Sequence, residues 1–482
     1  MNQQQIYQDK TKLIDFTGLV GIGVMSIFYS IFGSDFAEIH FQFPGLPCPV
    51  FIGEILLLWT VFLFFWKVFL NPIKLRWWHW AWLIYTVWVV AAALCGYVHW
   101  GALAFRNAAL FYYLLFGFLG YSFYRKEFFF QEAITILSAV ILGIIFLRWN
   151  AGYFWYTYAV LFLVVVSKIQ KKWLRYTFLG LFLFFCISNS LFLGSRSHMM
   201  GSFGAVLFVL LCLIYSLGQI RLRWRVTVSF LFILVLFLGF VCFSDKNAVK
   251  SLMTPQVVME EYRQKKVIIN RLRKIFQQQP LQTKLYNNNY SDNVSVLNVE
   301  HPVVLLASST TRTEGQDAIV NESESKPIVG SRPLDVAYAN IVFRLLIWED
   351  MFDELSHGKF LFGVGLGKPQ RSISLEISNW ATNEWKRDGW IMPHNSFFHM
   401  IYRAGLLGFV VVIGIFACVF YLTNGFFQKK SVGGILLLSI LIYWIGVANF
   451  LVILELPYNA IPFWALFGMI CAYHRDLKIN DS

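Results

Sequence analysis

The chain passes from a long polar stretch into an apolar one at Pro393-His394-Asn395-Ser396-Phe397-Phe398-His399-Met400-Ile401-Tyr402-Arg403-Ala404-Gly405-Leu406-Leu407-Gly408. The titratable His394 therefore lies where a water-exposed segment is expected to meet the lipid boundary. A side chain in that position can exchange protons with a substrate that has a polar head and an apolar tail. We expect the chemistry of this protein at this junction.

The composition on both sides of the junction is typical of a membrane protein. Hydrophobic residues make up 57% of the 482 residues, charged residues make up 14%, and the mean hydropathy is +0.58. About twelve apolar runs are long enough to cross the roughly 30 Å of a bilayer core. They lie near 13–33, 49–69, 79–98, 107–124, 132–148, 153–168, 176–194, 199–217, 226–243, 396–422, 433–453 and 460–473. The sequence thus predicts an all-α integral membrane protein.

The positions of Lys and Arg in the short loops predict the orientation of these spans. Most of the basic loop residues fall on one side, which the positive-inside rule makes cytoplasmic. The chain then divides into nine spans over 1–243, a large, mainly helical extracytoplasmic loop domain over 244–394, and three spans over 395–482. The basic residues of the predicted cytoplasmic loops account for most of the net charge of +13. Membrane topology therefore explains the positive charge, and we expect no nucleic-acid partner.

The end of the loop domain has a regular pattern. Apolar spacing from Leu334 to His357 predicts a helix, and Gly363-Val364-Gly365-Leu366-Gly367 predicts the turn that follows it. Such a turn can bind phosphate through backbone N–H groups. The Walker lysine and the Rossmann spacing are both missing, however, so we expect no nucleotide site. His and Cys residues show no metal-ligand spacing, and we expect neither a metal nor a cofactor.

Three arginines fall on the predicted outer side, where translocated loops rarely carry them: Arg106, Arg148 and Arg196. Snorkelling to headgroups or pairing with a carboxylate is the ordinary explanation, and we favour it for Arg148. Arg196 lies in a very short hairpin, where the small neighbour Ser195 leaves room for a ligand. A guanidinium fork suits bidentate contacts with phosphate, so a lipid pyrophosphate fits best.

Five short motifs together carry a family resemblance: Ser195-Arg196-Ser197, Arg344-Leu345-Leu346-Ile347-Trp348, Phe360-Leu361-Phe362-Gly363-Val364-Gly365-Leu366-Gly367, His394-Asn395-Ser396-Phe397 and Gly405-Leu406-Leu407-Gly408. With these motifs and its topology, the chain resembles the O-antigen ligase and polymerase superfamily of bacterial envelopes. The resemblance implies a GT-C type glycosyltransferase of the inner membrane, with its active site facing the periplasm. Such an enzyme moves a glycan from undecaprenyl pyrophosphate to an acceptor, without a metal.

The resemblance also implies roles for individual residues. His394, Arg344 and Arg196 match the family's catalytic positions, whereas Arg106, Asn395 and Ser195 are expected to bind substrate. His394, with an ordinary pKa near 6.5, would accept the proton of the acceptor hydroxyl, and the arginines would hold the pyrophosphate. The chain departs from the family at Arg403, where many members carry an acidic residue.

Structural roles remain open for the same residues. His394 could simply begin a helix that Asn395 or Ser396 caps. Arg344 could pair with Asp350 or another carboxylate. Asp350, Asp353 and Glu354 together resemble a solvated acidic face.

Several functions also remain open. The acceptor could be lipid A–core, as for a ligase, or a second lipid-linked glycan, as for a polymerase, or a protein hydroxyl. A polysaccharide transporter is less favoured because no internal repeat is evident. A purely structural membrane protein would not need arginines on the outer side.

Overall fold

The computed structural model describes residues 3–44, 49–70, 77–125, 336–377 and 392–479, with a few single positions between 156 and 266. The spans expected near 132–148, 176–194 and 226–243 lie outside the described residues, and those near 153–168 and 199–217 are described only at single positions. Arg148, Ser195 and Arg196 also lie outside them. Of the loop domain, the described part is essentially its end, from 336 onward.

Helices dominate the described residues. We number them α1 (Gln3–Phe32), α2 (Ser34–Ala37), α3 (Ile52–Leu70), α4 (Trp77–Trp100), α5 (Leu103–Tyr112), α6 (Leu115–Phe123), α7 (Val336–Ser356), α8 (Ile373–Ile377), α9 (Ser396–Ala404), α10 (Leu406–Gln428), α11 (Val432–Ala448) and α12 (Pro457–Ile479). Two short antiparallel strands, β1 (His40–Phe41) and β2 (Val50–Phe51), pair His40 with Phe51 between α2 and α3. A 3₁₀ turn, Ile453–Glu455, precedes α12.

Five segments among the described residues are long and apolar enough to cross a membrane. They are Asp9–Phe32, Ile52–Leu70, His79–Trp100, Leu103–Phe123 and Leu406–Gln428. The first four match the spans that the sequence predicts near 13–33, 49–69, 79–98 and 107–124. The helix expected over Leu334–His357 is also confirmed, as α7.

The span expected over 396–422 is wrong as a single helix, because the chain bends sharply at Gly405. That residue has φ 58°, which favours glycine. A Cβ at Gly405 would collide with the backbone of Gly363 and Phe360, and one at Gly408 would collide with the Met400 carbonyl. The apolar pattern runs through the bend without a break, so only the close backbone contacts reveal it. The span begins at Leu406, and α9 is a separate helix.

Helix α9 lies across one end of the long helices. In its first turn, the Ser396 hydroxyl donates to the Leu451 carbonyl just beyond α11, at 2.8 Å. Beyond its last turn, the glycine-rich turn holds the start of α5, because the Gly367 N–H donates to the Asn107 Oδ1 at 3.0 Å. The ends of α11 and α5 therefore meet around α9.

The opposite end of the bundle carries basic residues that the sequence predicts to be cytoplasmic. Asp15 of α1 is buried there, and its carboxylate pairs with Lys67 Nζ and Arg125 Nε, each at 2.6 Å. Lys67 also donates to the Ser122 carbonyl at 2.7 Å. A buried carboxylate is stable only when its charge is compensated, and here the two cations tie α1, α3 and the end of α6 together.

The acidic face expected on α7 is only partly solvated. Asp350 is 9% exposed, and its carboxylate accepts hydrogen bonds from Ser372 Oγ at 2.5 Å and from Ser374 Oγ at 2.7 Å. These contacts fasten α8 to α7. Glu354 accepts hydrogen bonds from Lys359 Nζ at 2.7 Å, from Lys368 Nζ at 2.5 Å and from the Tyr402 hydroxyl. Asp350 and Glu354 are therefore not free in solvent as the sequence predicted. Several of their hydrogen-bonding partners lie beyond α7 in the chain, where no local pattern reveals them.

We expect the Glu354 cluster to make stability depend on acidity. Burial alone would raise the pKa of Glu354, but the hydrogen bonds from its lysine and tyrosine partners outweigh burial and lower the pKa from 4.5 to about 2. The stabilising contribution is complete above the unfolded-state pKa and is lost as the pH falls from about 4.5 to about 2. Thermal unfolding of the detergent-solubilised chain should show Glu354→Gln less stable than wild type near neutral pH. The difference should disappear below about pH 2, and a difference that does not vary with pH would contradict this origin.

Candidate functional site

The chain enters α9 through a strained residue. His394 has φ 53°, a conformation that residues other than glycine rarely adopt and that costs on the order of 1–3 kcal/mol. Asn395 caps the helix, since its Oδ1 accepts the Phe398 N–H at 2.9 Å. The Ser396 hydroxyl accepts the Leu454 N–H at 3.2 Å. Asn395 therefore has the capping role that the sequence left open, and the strain falls on His394.

Helix α7 holds this strained turn from the other side. The indole N–H of Trp348 donates to the Pro393 carbonyl at 2.6 Å. The Phe343 ring contacts the His394 ring at 6.0 Å between centroids. These contacts fix the peptide before His394 and one edge of its imidazole. Among the described residues, no hydrogen-bond partner is found for the ring nitrogens.

Arg344 lies close enough to His394 to change its titration. Burial lowers the pKa of His394 from 6.5 to about 4, and the positive charge of Arg344 lowers it further in the same direction. The pKa near 6.5 expected from the sequence is therefore too high, mainly because the imidazole is buried and also because Arg344 is positively charged. The imidazole is neutral at physiological pH and has a lone pair free to accept a proton.

An open hollow of about 470 Å³ lies beside this pair, between α7 and the start of α9. Its lining residues are Leu345, Trp348, Glu349, Phe352, Asn395 and Phe398. The wall is mostly apolar, with three aromatic rings, and it includes a carboxylate and an amide. Trp348 and Phe398 meet edge to face, with ring centroids 6.4 Å apart. A hollow of this kind suits a ring that has an apolar face and hydroxyl groups.

A second polar cluster lies beneath α9 and contains Arg106. The Arg106 Nε is 3.7 Å from Glu455 Oε1, a long ion pair, and the Arg106 side chain is 29% exposed. The Asn107 amide donates to the same Glu455 oxygen at 3.3 Å. The other Glu455 oxygen lies 3.6 Å from His399 Nδ1. Glu455 is therefore the one carboxylate among the described residues that joins α5, α9 and the turn before α12.

Arg403 completes this cluster one helical turn after His399. Its Nε donates to His399 Nε2 at 3.0 Å, and its Nη1 donates to the Lys368 carbonyl at 2.6 Å and to the Gly365 carbonyl at 3.3 Å. Because His399 Nε2 accepts this hydrogen bond, its proton belongs on Nδ1, which faces Glu455. Arg403 is buried, with 4% of its surface exposed. Here it locks α9 to the glycine-rich turn.

The glycine-rich turn has little left with which to bind an anion. Its Gly363, Val364, Gly365 and Gly367 N–H groups donate to the Lys359, Tyr402 and Arg403 carbonyls and to the Asn107 side chain. These internal partners account for the conformation of the turn. Within the described ranges, no group of three or more His, Cys, Asp or Glu side chains is arranged to hold a metal ion.

The structure brings part of the predicted site together. His394, Asn395 and Arg344 are neighbours, whereas Arg106 lies in the second cluster and is linked to them through α9. Arg196 and Ser195 fall outside the described residues, so their proposed roles stay predictions. Glu455 was not predicted, although the sequence contains a signal: it is the single acidic residue between Asp388 and Asp476.

His399 and Arg403 were also missed as partners. Their spacing of four residues places them on one face of a helix, but nothing in the sequence ties that face to Glu455. The two clusters together present a neutral imidazole, several guanidinium groups and an aromatic hollow at one end of the bundle. Searches of protein-family models, curated proteins and solved structures gave no match to this chain.

Proposed function

We propose that the chain is a membrane glycosyltransferase of the GT-C type, with about twelve spans, that moves a glycan from undecaprenyl pyrophosphate to an acceptor hydroxyl. The reaction takes place at the outer face of a bacterial inner membrane. One observation carries the proposal: a neutral, strained His394 lies beside Arg344, at the same end of the helices as Arg106. That arrangement supplies a proton acceptor next to a charge that can hold an anion.

The arginines take the leaving group. As the bond between the anomeric carbon and the pyrophosphate breaks, negative charge grows on the phosphate oxygens, and fixed guanidinium groups stabilise it. Arg344 and Arg196 hold the pyrophosphate, with Arg106 as a further cation.

His394 takes the proton of the attacking hydroxyl. A pKa of about 4 makes the free imidazole a weak base. When the pyrophosphate binds Arg344, it offsets the positive charge that disfavours protonation, so His394 becomes more basic once the donor is in place. Direct attack of the hydroxyl on the anomeric carbon inverts the configuration. Asn395 borders the hollow and is placed to contact the acceptor.

The pH dependence of activity tests the pairing of His394 with Arg344. The acid limb of kcat/KM reports the free enzyme, so we expect half-maximal activity near pH 4 and not near 6.5. In Arg344→Gln, removal of the neighbouring positive charge should raise the His394 pKa and move the limb to higher pH. Activity would be measured as glycan transfer by the full chain in proteoliposomes.

Arg475→Gln is a matched control, because it removes an arginine at the far end of α12. Its acid limb should stay where it is in wild type. If Arg344→Gln lowers activity without moving the limb, Arg344 does not act on His394.

A ligase and a polymerase differ in the acceptor that receives the glycan. Deletion of the gene followed by gel analysis of envelope lipopolysaccharide distinguishes them. Loss of all long-chain bands, with accumulation of lipid-linked polymer, identifies a ligase that uses lipid A–core. A single repeat retained on the core identifies a polymerase. An unchanged envelope glycan profile, in a strain known to express the chain, would contradict both.

A further inference from the structure

Three consecutive bulky apolar residues are exposed in the turn after α7. Phe360 is 52% exposed, Leu361 is 59% exposed and Phe362 is 85% exposed. The turn itself is well fixed, because the Gly363 N–H donates to the Lys359 carbonyl at 2.7 Å and the Val364 N–H donates to the Tyr402 carbonyl at 2.8 Å. An ordered turn that presents this much apolar surface is a marker of an interaction site.

The exposed turn lies against the start of α10, the most apolar of the five membrane-length segments. The Leu406 N–H at the start of α10 donates to the Leu361 carbonyl at 3.1 Å. Along α10 the exposed apolar residues include Leu406 at 43%, Val410 at 56% and Phe420 at 69%. Only 22% of this membrane-length helix is buried within the protein. The surface of the turn and the surface of α10 are therefore one continuous apolar face.

Lysines flank the turn where a membrane would end. Lys359 immediately precedes it and Lys368 follows it, and their side chains are 37% and 32% exposed. Both Nζ atoms gather at Glu354. Lysines beside an apolar insertion are typical of the boundary between hydrocarbon and phosphate headgroups.

We infer that Phe360-Leu361-Phe362 inserts among the acyl chains of the lipid bilayer beside α10. The continuity with α10 favours lipid over another protein as the partner, because acyl chains must cover that helix if it spans the membrane. The turn then fixes the depth of the neighbouring groups. The second polar cluster is tied to this depth, because the Arg403 carbonyl accepts the Gly365 N–H at 3.1 Å. The inference does not depend on the proposed function.

Photo-crosslinking tests this insertion. The full chain would carry p-benzoyl-phenylalanine in place of Phe362, which keeps an aromatic ring there, in vesicles of phosphatidylethanolamine and phosphatidylglycerol. Illumination should increase the protein mass by that of one phospholipid. The same probe at Phe420 of α10 is the positive reference, and at the exposed His357 it is the negative control.

The outcomes are distinct. Lipid adducts at 362 and 420 but not at 357 support insertion. An adduct at 420 with none at 362 overturns it. Covalent dimers at 362 in place of lipid adducts also overturn it, because the turn would then contact a second copy of the chain.

Discussion

His394→Ala is expected to lower the rate of glycan transfer by about 10²–10⁴-fold, the usual contribution of a general base. The loss should appear mainly in kcat, because the imidazole acts on the proton that moves in the transition state and the arginines hold the donor. The measurement is transfer from a synthetic undecaprenyl-pyrophosphate-linked glycan by the full chain in proteoliposomes.

A matched variant separates chemistry from backbone strain. Asparagine tolerates the positive φ of residue 394 but cannot accept a proton at neutral pH. His394→Asn should therefore fold as well as wild type and be nearly as inactive as His394→Ala. His357→Ala, which removes an exposed histidine at the end of α7, should keep full activity. A well-folded His394→Asn with wild-type turnover would remove His394 from the mechanism.

Glu455→Leu is expected to have the largest effect on stability, about 3–5 kcal/mol, the range for removing one partner of a buried charged network. Glu455 is 5% exposed and faces Arg106, Asn107 and His399. Without the carboxylate, Arg106 loses its ion-pair partner and the buried Arg403 loses a nearby negative charge. Thermal unfolding in detergent measures the loss.

Two further variants make the stability prediction specific. Combining Glu455→Leu with Arg106→Met should recover part of the lost stability, because the double variant also removes the positive charge that Glu455→Leu leaves without its partner. Glu349→Leu removes a carboxylate that is 27% exposed and pairs with Lys266 at 2.7 Å. Exposed pairs contribute at most about 1 kcal/mol. If Glu349→Leu and Glu455→Leu cost the same, the buried network does not stabilise the fold.

The sequence predicts what depends on local periodicity and on motifs. Apolar runs located the four N-terminal spans within a few residues, and helical spacing located α7. The motifs named His394 and Arg344 as members of one site, and in the structure the charge of Arg344 acts on His394. Their catalytic roles stay predictions. The bend at Gly405 was not predictable, because the residues on both sides are equally apolar and the cause is the backbone of Phe360 and Gly363, which lies far back in the chain.

The second polar cluster, around Glu455, was also not predictable, because its members are far apart in the chain. Asn107 and Glu455 are 348 residues apart in the chain. Helical spacing shows that His399 and Arg403 share a face, but it does not show what that face meets. Asp350 was placed in solvent for the same reason, because Ser372 and Ser374 cover it from a separate helix. Long-range partners decide burial, and a single sequence does not record them.

The position of α9 across the ends of the bundle ties His394 to the mechanics of the surrounding lipid. Ser396 holds one end of α9 to the segment beyond α11, and Arg403 holds the other end to the turn that contacts α5. A thinner or thicker bilayer changes the tilt of long helices. Because α9 is attached to both α5 and the end of α11, a change in the tilt of one relative to the other must rotate α9. We therefore expect the geometry of the imidazole to respond to the acyl-chain length of the bilayer.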